Sequence, residues 1–368
     1  MSFPIAVALE AKASLNDIEC AVRHLLDTVV APIDQNNWRK IVGLMNDVDS
    51  YGWDIDFVLW AKGGHVKSVP LHKIANHPRL TGWVIQGISD PISIAMLRAT
   101  TGSGTVWAWA KEVPFTKGTL APKPERARWW AWVLTENPKE IAEQVYNALL
   151  FGADGFCFSN LPTEEDLERR ECLKAIGFFA AHLRLWKPLL AERTESTESW
   201  RWKTEEAGGW VWKLEGDEVL CLFASHSQLT SLTLKLPLAV REGFRSYSIQ
   251  FPALVRLPLQ RKGENIFIKF NAPEPLNLVW LTDNPTKVQK IHLHANKLLP
   301  KAMQFAVQWV LARKERLSQN QMPPDIDNQV WSMLQKAKRR QFSHGYLSAC
   351  RILKSLKALP ELLAPCEI

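Results

Sequence analysis

Thr28-Val-Val-Ala-Pro-Ile33, the stretch from Asn36 to Tyr51, and Ile55-Asp-Phe-Val-Leu-Trp60 together decide how this chain is read. The first and last segments are nearly continuous apolar runs rich in β-formers, as strands covered on both faces require. The middle segment carries Trp38, Ile41, Leu44 and Met45 at helical spacing. Strand, helix, strand in that order predicts two parallel strands joined by a crossover helix. Asp34 falls just after the first strand, where a carboxylate can either cap the helix or project from the strand end.

The same alternation extends outward in both directions. Ile5 to Leu9, Leu80 to Ile85, Thr105 to Ala110, Trp129 to Leu134 and Gly155 to Ser159 read as further strands. Ser14 opens a helix, Pro91 sits in the first turn of another, Asn137-Pro138 begins a third, and Thr163 with Asp166 opens a long one reaching about Leu190. Seven strands are counted where a full barrel has eight. The expected fold class is α/β, a reduced or complete (β/α)8 TIM-like barrel over residues 1–194. From about Glu195 the period changes to two. Val219 to Phe223, Leu232 to Leu236, Arg245 to Ile249, Ile266 to Phe270 and Leu276 to Leu281 predict an antiparallel β-sandwich over 195–283. Beyond Asn284-Pro285 an apolar stripe of Leu298, Ala302, Phe305, Ala306, Trp309 and Val310 predicts a helix. Met322-Pro323-Pro324 breaks it before two more, around Trp331 and Leu347, so 284–368 is an α-helical C-terminal region.

Hydrophobic residues at 46% and charged residues at 23% describe an ordinary globular chain and argue against long disorder. No apolar run reaches the ~18 residues of a membrane span. The start, Met1-Ser-Phe-Pro-Ile-Ala-Val-Ala-Leu-Glu10, has no basic segment and is interrupted by Glu10, so a cleaved leader is not expected and the default location is cytoplasmic. The abrupt start leaves room for an upstream segment. The six cysteines form no Cys-x-x-Cys pair and read as buried thiols. The net charge of +7 is concentrated at the end: residues 284–368 hold 14 Lys or Arg against 5 Asp or Glu, and the remainder holds 31 against 33.

Several motifs then resemble a known group. His77-Pro-Arg-Leu-Thr-Gly-Trp-Val-Ile85 resembles the fourth-strand region of retaining glycoside hydrolases with (β/α)8 barrels. In those enzymes an acidic turn that follows supplies the general acid; here it reads Gly87-Ile-Ser-Asp-Pro91, with Asp90 as the one acid. Trp130-Ala-Trp-Val-Leu-Thr-Glu136 resembles the late strand whose terminal glutamate is the nucleophile. Val145-Tyr-Asn-Ala-Leu-Leu-Phe-Gly-Ala-Asp-Gly-Phe-Cys-Phe-Ser159 resembles the last helix and strand of such barrels. A long helix to Trp186-Lys-Pro-Leu-Leu190 and then a sandwich complete the order, over roughly residues 28–283, and the build looks closest to large bacterial proteins of this kind. The resemblance implies a carbohydrate partner, retaining O-glycosyl hydrolysis with Glu136 as nucleophile and Asp90 as acid/base, and no cofactor.

Retaining hydrolysis needs two carboxyls about 5 Å apart, and residues at C-terminal strand ends of a parallel barrel converge on one mouth. Asp34 and Glu112 join Asp90 and Glu136 as acids after such strands. Trp60, Trp83, Trp107, Trp109 and Trp132 lie on or beside them as candidate stacking faces. Each has a plainer reading. Asp90 and Asp34 suit helix caps, Glu136 favours a helix N-terminus, Glu112 pairs with Lys111, and strand tryptophans serve as core. Aspartate at position 90 is one methylene short of the usual glutamate, which opens the alternative of an inactive barrel that binds carbohydrate or acts as a scaffold. His65, His72 and His77 lack the fixed spacing of a metal site, and Gly102-Ser-Gly104 precedes a strand instead of opening a helix, against nucleotide binding. Arg313-Lys-Glu-Arg316 and Lys336-Ala-Lys-Arg-Arg340 read as solvated helix faces before they read as a nucleic-acid surface. Oligomeric state is not encoded in any of these features.

Overall fold

The structure, a computed structural model, describes residues 3–61, 73–86, 105–110, 128–150, 152–194, 197–204, 207–225, 231–271, 276–317 and 321–359. The chain forms two compact units. One comprises residues 3–148 and 153–164, the other 149–152 and 165–368.

The first unit is built on seven parallel strands: β1 (Ile5–Ala8), β2 (Thr28–Pro32), β3 (Asp56–Ala61), β4 (Leu80–Gln86), β5 (Thr105–Ala110), β6 (Arg128–Val133) and β7 (Gly155–Phe158). They pair in chain order, and β7 returns to β1 through Ala6↔Cys157, so the barrel is closed. Among the described residues its complement is seven strands. Helices α1 (Leu15–Arg23), α2 (Trp38–Ser50) and α3 (Pro138–Leu150) follow β1, β2 and β6. Ser14 and Asp17 form a capping box at the start of α1, where the Asp17 carboxylate accepts from the Ser14 N–H at 2.7 Å. Asp27 ties the strand starts together. Its Oδ1 accepts from the Ile5 N–H at 3.0 Å and the Thr28 hydroxyl at 2.9 Å. The His77-Pro-Arg segment does similar work before β4: His77 Nδ1 accepts from the Arg79 N–H at 3.2 Å, and Arg79 Nε donates to Asp49 on α2 at 3.0 Å.

Side chains alternate across the ring with the strand period of two. Ala6, Ala8, Val30, Val58, Trp130 and Cys157 form one buried cluster, against which Trp60 and Trp132 pack half-buried. Small residues on β1 leave room for the indoles of β6, as a narrow barrel requires. The alternate set, including Ile5, Val7, Phe57, Leu59, Trp83, Val133, Phe156 and Phe158, is buried on the other face.

The second unit contains two antiparallel sheets and a helical part. The larger sheet runs β13-β12-β16-β10-β9-β8 and the smaller β11-β15-β14. Their ranges are β8 Glu198–Lys203, β9 Ala207–Lys213, β10 Val219–Ser225, β11 Ser231–Leu236, β12 Arg245–Ile249, β13 Leu254–Leu257, β14 Leu259–Lys262, β15 Asn265–Asn271 and β16 Leu276–Thr282. Val211, Phe223, Val279 and Leu281 of the first sheet share a core with Leu232, Leu234, Ile268 and Phe270 of the second. Gly209 is required where β9 meets β10. A Cβ there would lie 2.0 Å from the Leu222 carbonyl oxygen and 2.7 Å from Phe223 Cα. Both obstacles are backbone, which cannot swing aside. Gly209→Ala is therefore expected to destabilise this unit by about 2 kcal/mol or more, read as a lowered urea midpoint at unchanged slope.

Helix α4 (Leu167–Leu190), read from sequence as the close of the barrel domain, clusters with this unit. The Asp166 carboxylate caps it through the Arg169 N–H at 2.7 Å. It packs on α5 (Pro285–Arg316) so closely that a Cβ on Gly177 would meet Phe305 Cδ1 at 2.4 Å. Helices α6 (Ile326–Lys338) and α7 (Phe342–Ser355) complete the tail. Four tryptophans of this half are buried or half-buried with bonded N–H groups: Trp186 donates to the Ile249 carbonyl, Trp210 to the Leu150 carbonyl, Trp280 to Glu218 and Trp309 to Glu171, whereas Trp331 is exposed. Among the described residues no helix is long and apolar enough to cross a membrane.

Candidate functional site

The C-terminal ends of the parallel strands are where a barrel of this kind gathers polar groups. Trp60 is the penultimate residue of β3 and Trp132 the penultimate residue of β6. Each stands two residues beyond a member of the interior cluster, Val58 and Trp130, so each shares its face and lies nearer the C-terminal end. In ring order β4 and β5 separate their strands on one side, and β7, β1 and β2 on the other. Two half-buried indoles thus stand on well-separated strands at one end of the interior.

Glu136 follows β6 and is exposed. Capping of α3 falls to its neighbour: Asn137 Oδ1 accepts from the Lys139 N–H at 3.0 Å. The segment leading into Glu136 is held on both sides. Leu134 N–H donates to Gln144 Oε1 at 2.8 Å. Thr135, only 3% exposed, donates its N–H to Ser159 Oγ at 3.2 Å, its hydroxyl lies 2.9 Å from that same oxygen, and it also bonds Asn160 Oδ1. A polar knot therefore joins the ends of β6 and β7 and fixes the backbone directly before the carboxylate.

Asp34 is placed after β2 but is engaged in its own turn. Its Oδ1 accepts from the N–H groups of Asn36 at 2.7 Å and Asn37 at 3.0 Å, and its own N–H donates to Asn37 Oδ1 at 2.8 Å. This is a turn-closing role ahead of α2, whose N-cap is Asn37, with one carboxylate oxygen committed to it. Trp83, expected among the stacking faces, is instead 1% exposed and in register with Leu59, on the face away from the interior cluster. It is core, because it falls one residue out of phase with Gly82, the register partner of Val58. Trp107 and Trp109 lie in β5, with Trp109 in register with Trp130. Asp90 and Glu112 lie outside the described residues, as do His65 and His72.

Sequence reasoning missed Thr135, Ser159 and Asn160. It also took Trp38 as a core position of its helix, whereas Trp38 opens α2 and is half-buried, with the Arg39 guanidinium 5.3 Å and the Lys73 ammonium 5.8 Å from its ring centre. The Asp-Gln-Asn-Asn run before Trp38 was the available signal, since so polar a turn places the residue after it at a solvent boundary. For the Thr135 knot no local signal exists.

No protein-family model matches the chain, and no curated protein matches it. Among solved structures, one provisionally named an alpha-N-acetylgalactosaminidase, from Bacillus halodurans C-125, is similar over 77% of this chain and 98% of its own, at 9% identity and a TM-score of 0.46. A maltogenic alpha-amylase from Thermotoga neapolitana is similar over 76% and 98%, at 10% identity and a TM-score of 0.41. An endo-beta-1,4-mannanase from Thermotoga petrophila is similar over 73% and 91%, at 7% identity and a TM-score of 0.31. Similarity at this level carries neither activity nor residue roles to this chain.

Proposed function

We propose that this chain is a carbohydrate-active protein built like a glycoside hydrolase, a β/α barrel followed by a β-sandwich, with a saccharide seated at the C-terminal mouth of the barrel. The observation that carries this reading is the placement of Trp60 and Trp132, half-buried on the interior side near the ends of β3 and β6, with exposed Glu136 following the same β6. Flat indole faces bind the apolar faces of sugar rings while leaving the ring hydroxyls to polar groups. The motifs around Gly82-Trp83 and Trp130 to Glu136 point to the same class of protein.

In the hydrolytic form of this reading Glu136 is the nucleophile. Its carboxylate attacks the anomeric carbon while Asp90 donates a proton to the departing glycosidic oxygen, giving a covalent glycosyl ester. Asp90, now a carboxylate, takes a proton from water, whose oxygen displaces Glu136 and releases the sugar with its configuration retained. Thr135, Ser159 and Asn160 hold the backbone before Glu136 and act as positioning residues. Asp34 serves the mouth indirectly, by shaping the turn after β2.

A second reading, a barrel that binds saccharide without turning it over, is favoured by one feature: the acid turn carries Asp90, whose reach is one methylene shorter than glutamate. A glycan array combined with a hydrolysis screen on the full chain separates the two. Binding with turnover supports the enzyme, and binding alone supports the lectin-like form. A chain that neither binds nor cleaves any glycan defeats both.

A further inference from the structure

The second unit holds a cleft of about 430 Å³ where the chain passes from β13 to β14 through Leu257-Pro258-Leu259, leaving one sheet for the other. Three arginines line it, Arg245, Arg256 and Arg261, and among the described residues no aspartate or glutamate does. All three arginines are exposed. Arg261 is anchored by neutral acceptors: its Nη2 donates to the Phe244 carbonyl at 2.8 Å and the Arg241 carbonyl at 3.2 Å. Its charge is oriented, and among the described residues no carboxylate pairs with it. Nearby Arg241 is different, because it is ion-paired with Asp217.

A simpler account would assign these charges to edge protection, since charged side chains on edge strands discourage the addition of a foreign strand. β13 and β14 are indeed edges. That account applies less directly to Arg245, which opens β12: the strand is paired by both β13 and β16, Arg245 itself by Thr282 of β16, with the β13 ladder beginning one residue on at Ser246. Like charges brought together without a counter-charge repel one another, and the arrangement is relieved by an anion. The planar forks of arginine match the two oxygens of a carboxylate or sulfate. Exposed Pro258, with half-buried Leu257 and Leu259, adds an apolar floor, and the volume is within the range of small-ligand sites.

We infer that this cleft is an accessory site for the acidic groups of an anionic saccharide, a chain bearing carboxylates or sulfates. The saccharide part of this assignment rests on the function proposed above; the anion part rests on Arg245, Arg256 and Arg261 alone.

The test is calorimetric titration of the full chain at low salt with tetragalacturonate, a sulfated tetrasaccharide, neutral maltotetraose and inorganic sulfate. It is repeated on Arg245→Gln/Arg256→Gln, which leaves the anchored Arg261 in place. One acidic tetrasaccharide is expected to bind. Its affinity should fall by about tenfold or more in the double variant, and should also weaken as salt rises from about 50 to about 500 mM. Whichever acidic oligomer binds identifies carboxylate or sulfate as the recognised group. The inference is overturned if neither binds more tightly than maltotetraose, if inorganic sulfate binds as tightly as the saccharides, or if the double variant matches the wild type. No turnover enters this readout, so a failure of the barrel reading would leave the titration standing, and a null titration would leave the barrel reading untouched.

Discussion

Glu136→Gln is expected to reduce hydrolysis of any glycoside the wild type cleaves by about a thousandfold or more, with the melting temperature unchanged. The carboxamide has nearly the shape of the carboxylate but cannot form the glycosyl ester. Glu136 is exposed, and Asn137 supplies the hydrogen bond that begins α3, so the replacement removes no packing and no cap. Glycan binding should survive, because the stacking surfaces of Trp60 and Trp132 are untouched. The loss should therefore fall on kcat, with KM little altered. A fall in KM-dependent binding with kcat preserved would instead make Glu136 a contact residue.

Glu171→Ala is expected to destabilise the second unit by about 3–5 kcal/mol. Glu171 is fully buried on α4 and meets three groups from α5: Arg313 at 3.4 Å, Arg316 at 2.6 Å, and the indole N–H of Trp309 at 3.2 Å. Removing the carboxylate leaves Arg313, itself 12% exposed at its side chain, and Arg316 without their buried counter-charge. Glu171→Gln keeps the volume and an acceptor for Trp309, so a smaller loss is expected; urea unfolding at neutral pH compares the two. Burial, the largest influence, pushes the Glu171 carboxyl above its usual range, against the pull of Arg313 and Arg316. The native state then holds this proton more tightly than the unfolded chain does. The contribution is fully present below the ordinary glutamate value and is lost as pH rises through the raised one. Stability of wild type relative to Glu171→Gln should accordingly decline across that window.

The parallel strands were legible because covering both faces forces continuous apolar runs, and Thr28 to Ile33 or Ile55 to Trp60 admit few other readings. The strands that went unread have other compositions. β9 begins Ala-Gly-Gly, where the backbone of β10 leaves no space for a side chain, and β13 and β14 are short, arginine-bearing and divided by Pro258. The long α4 was visible, but its grouping with the sandwich and tail depends on Gly177 against Phe305 and Glu171 against Arg313 and Arg316, contacts more than a hundred residues apart.

At the mouth, strand ends could be located but not their phase. Trp60 and Trp132 share a face with Val58 and Trp130, whereas Trp83 is one residue out of step, and only the inter-strand register reveals which. Thr135 and Ser159 are 24 residues apart, so a hydrogen bond between them leaves no local trace. Asp34 reads from sequence, in its plainer role, as a helix cap; its bonds to the N–H groups of Asn36 and Asn37 instead close the turn ahead of α2, whose N-cap is Asn37.

The most direct test of the saccharide site is isothermal titration of the tightest array glycan into wild type, Trp60→Ala and Trp132→Ala, with folding of each variant checked by its melting curve. Loss of a stacking indole should weaken binding by about tenfold or more in each folded variant. Wild-type affinity in both would contradict a sugar seated between β3 and β6.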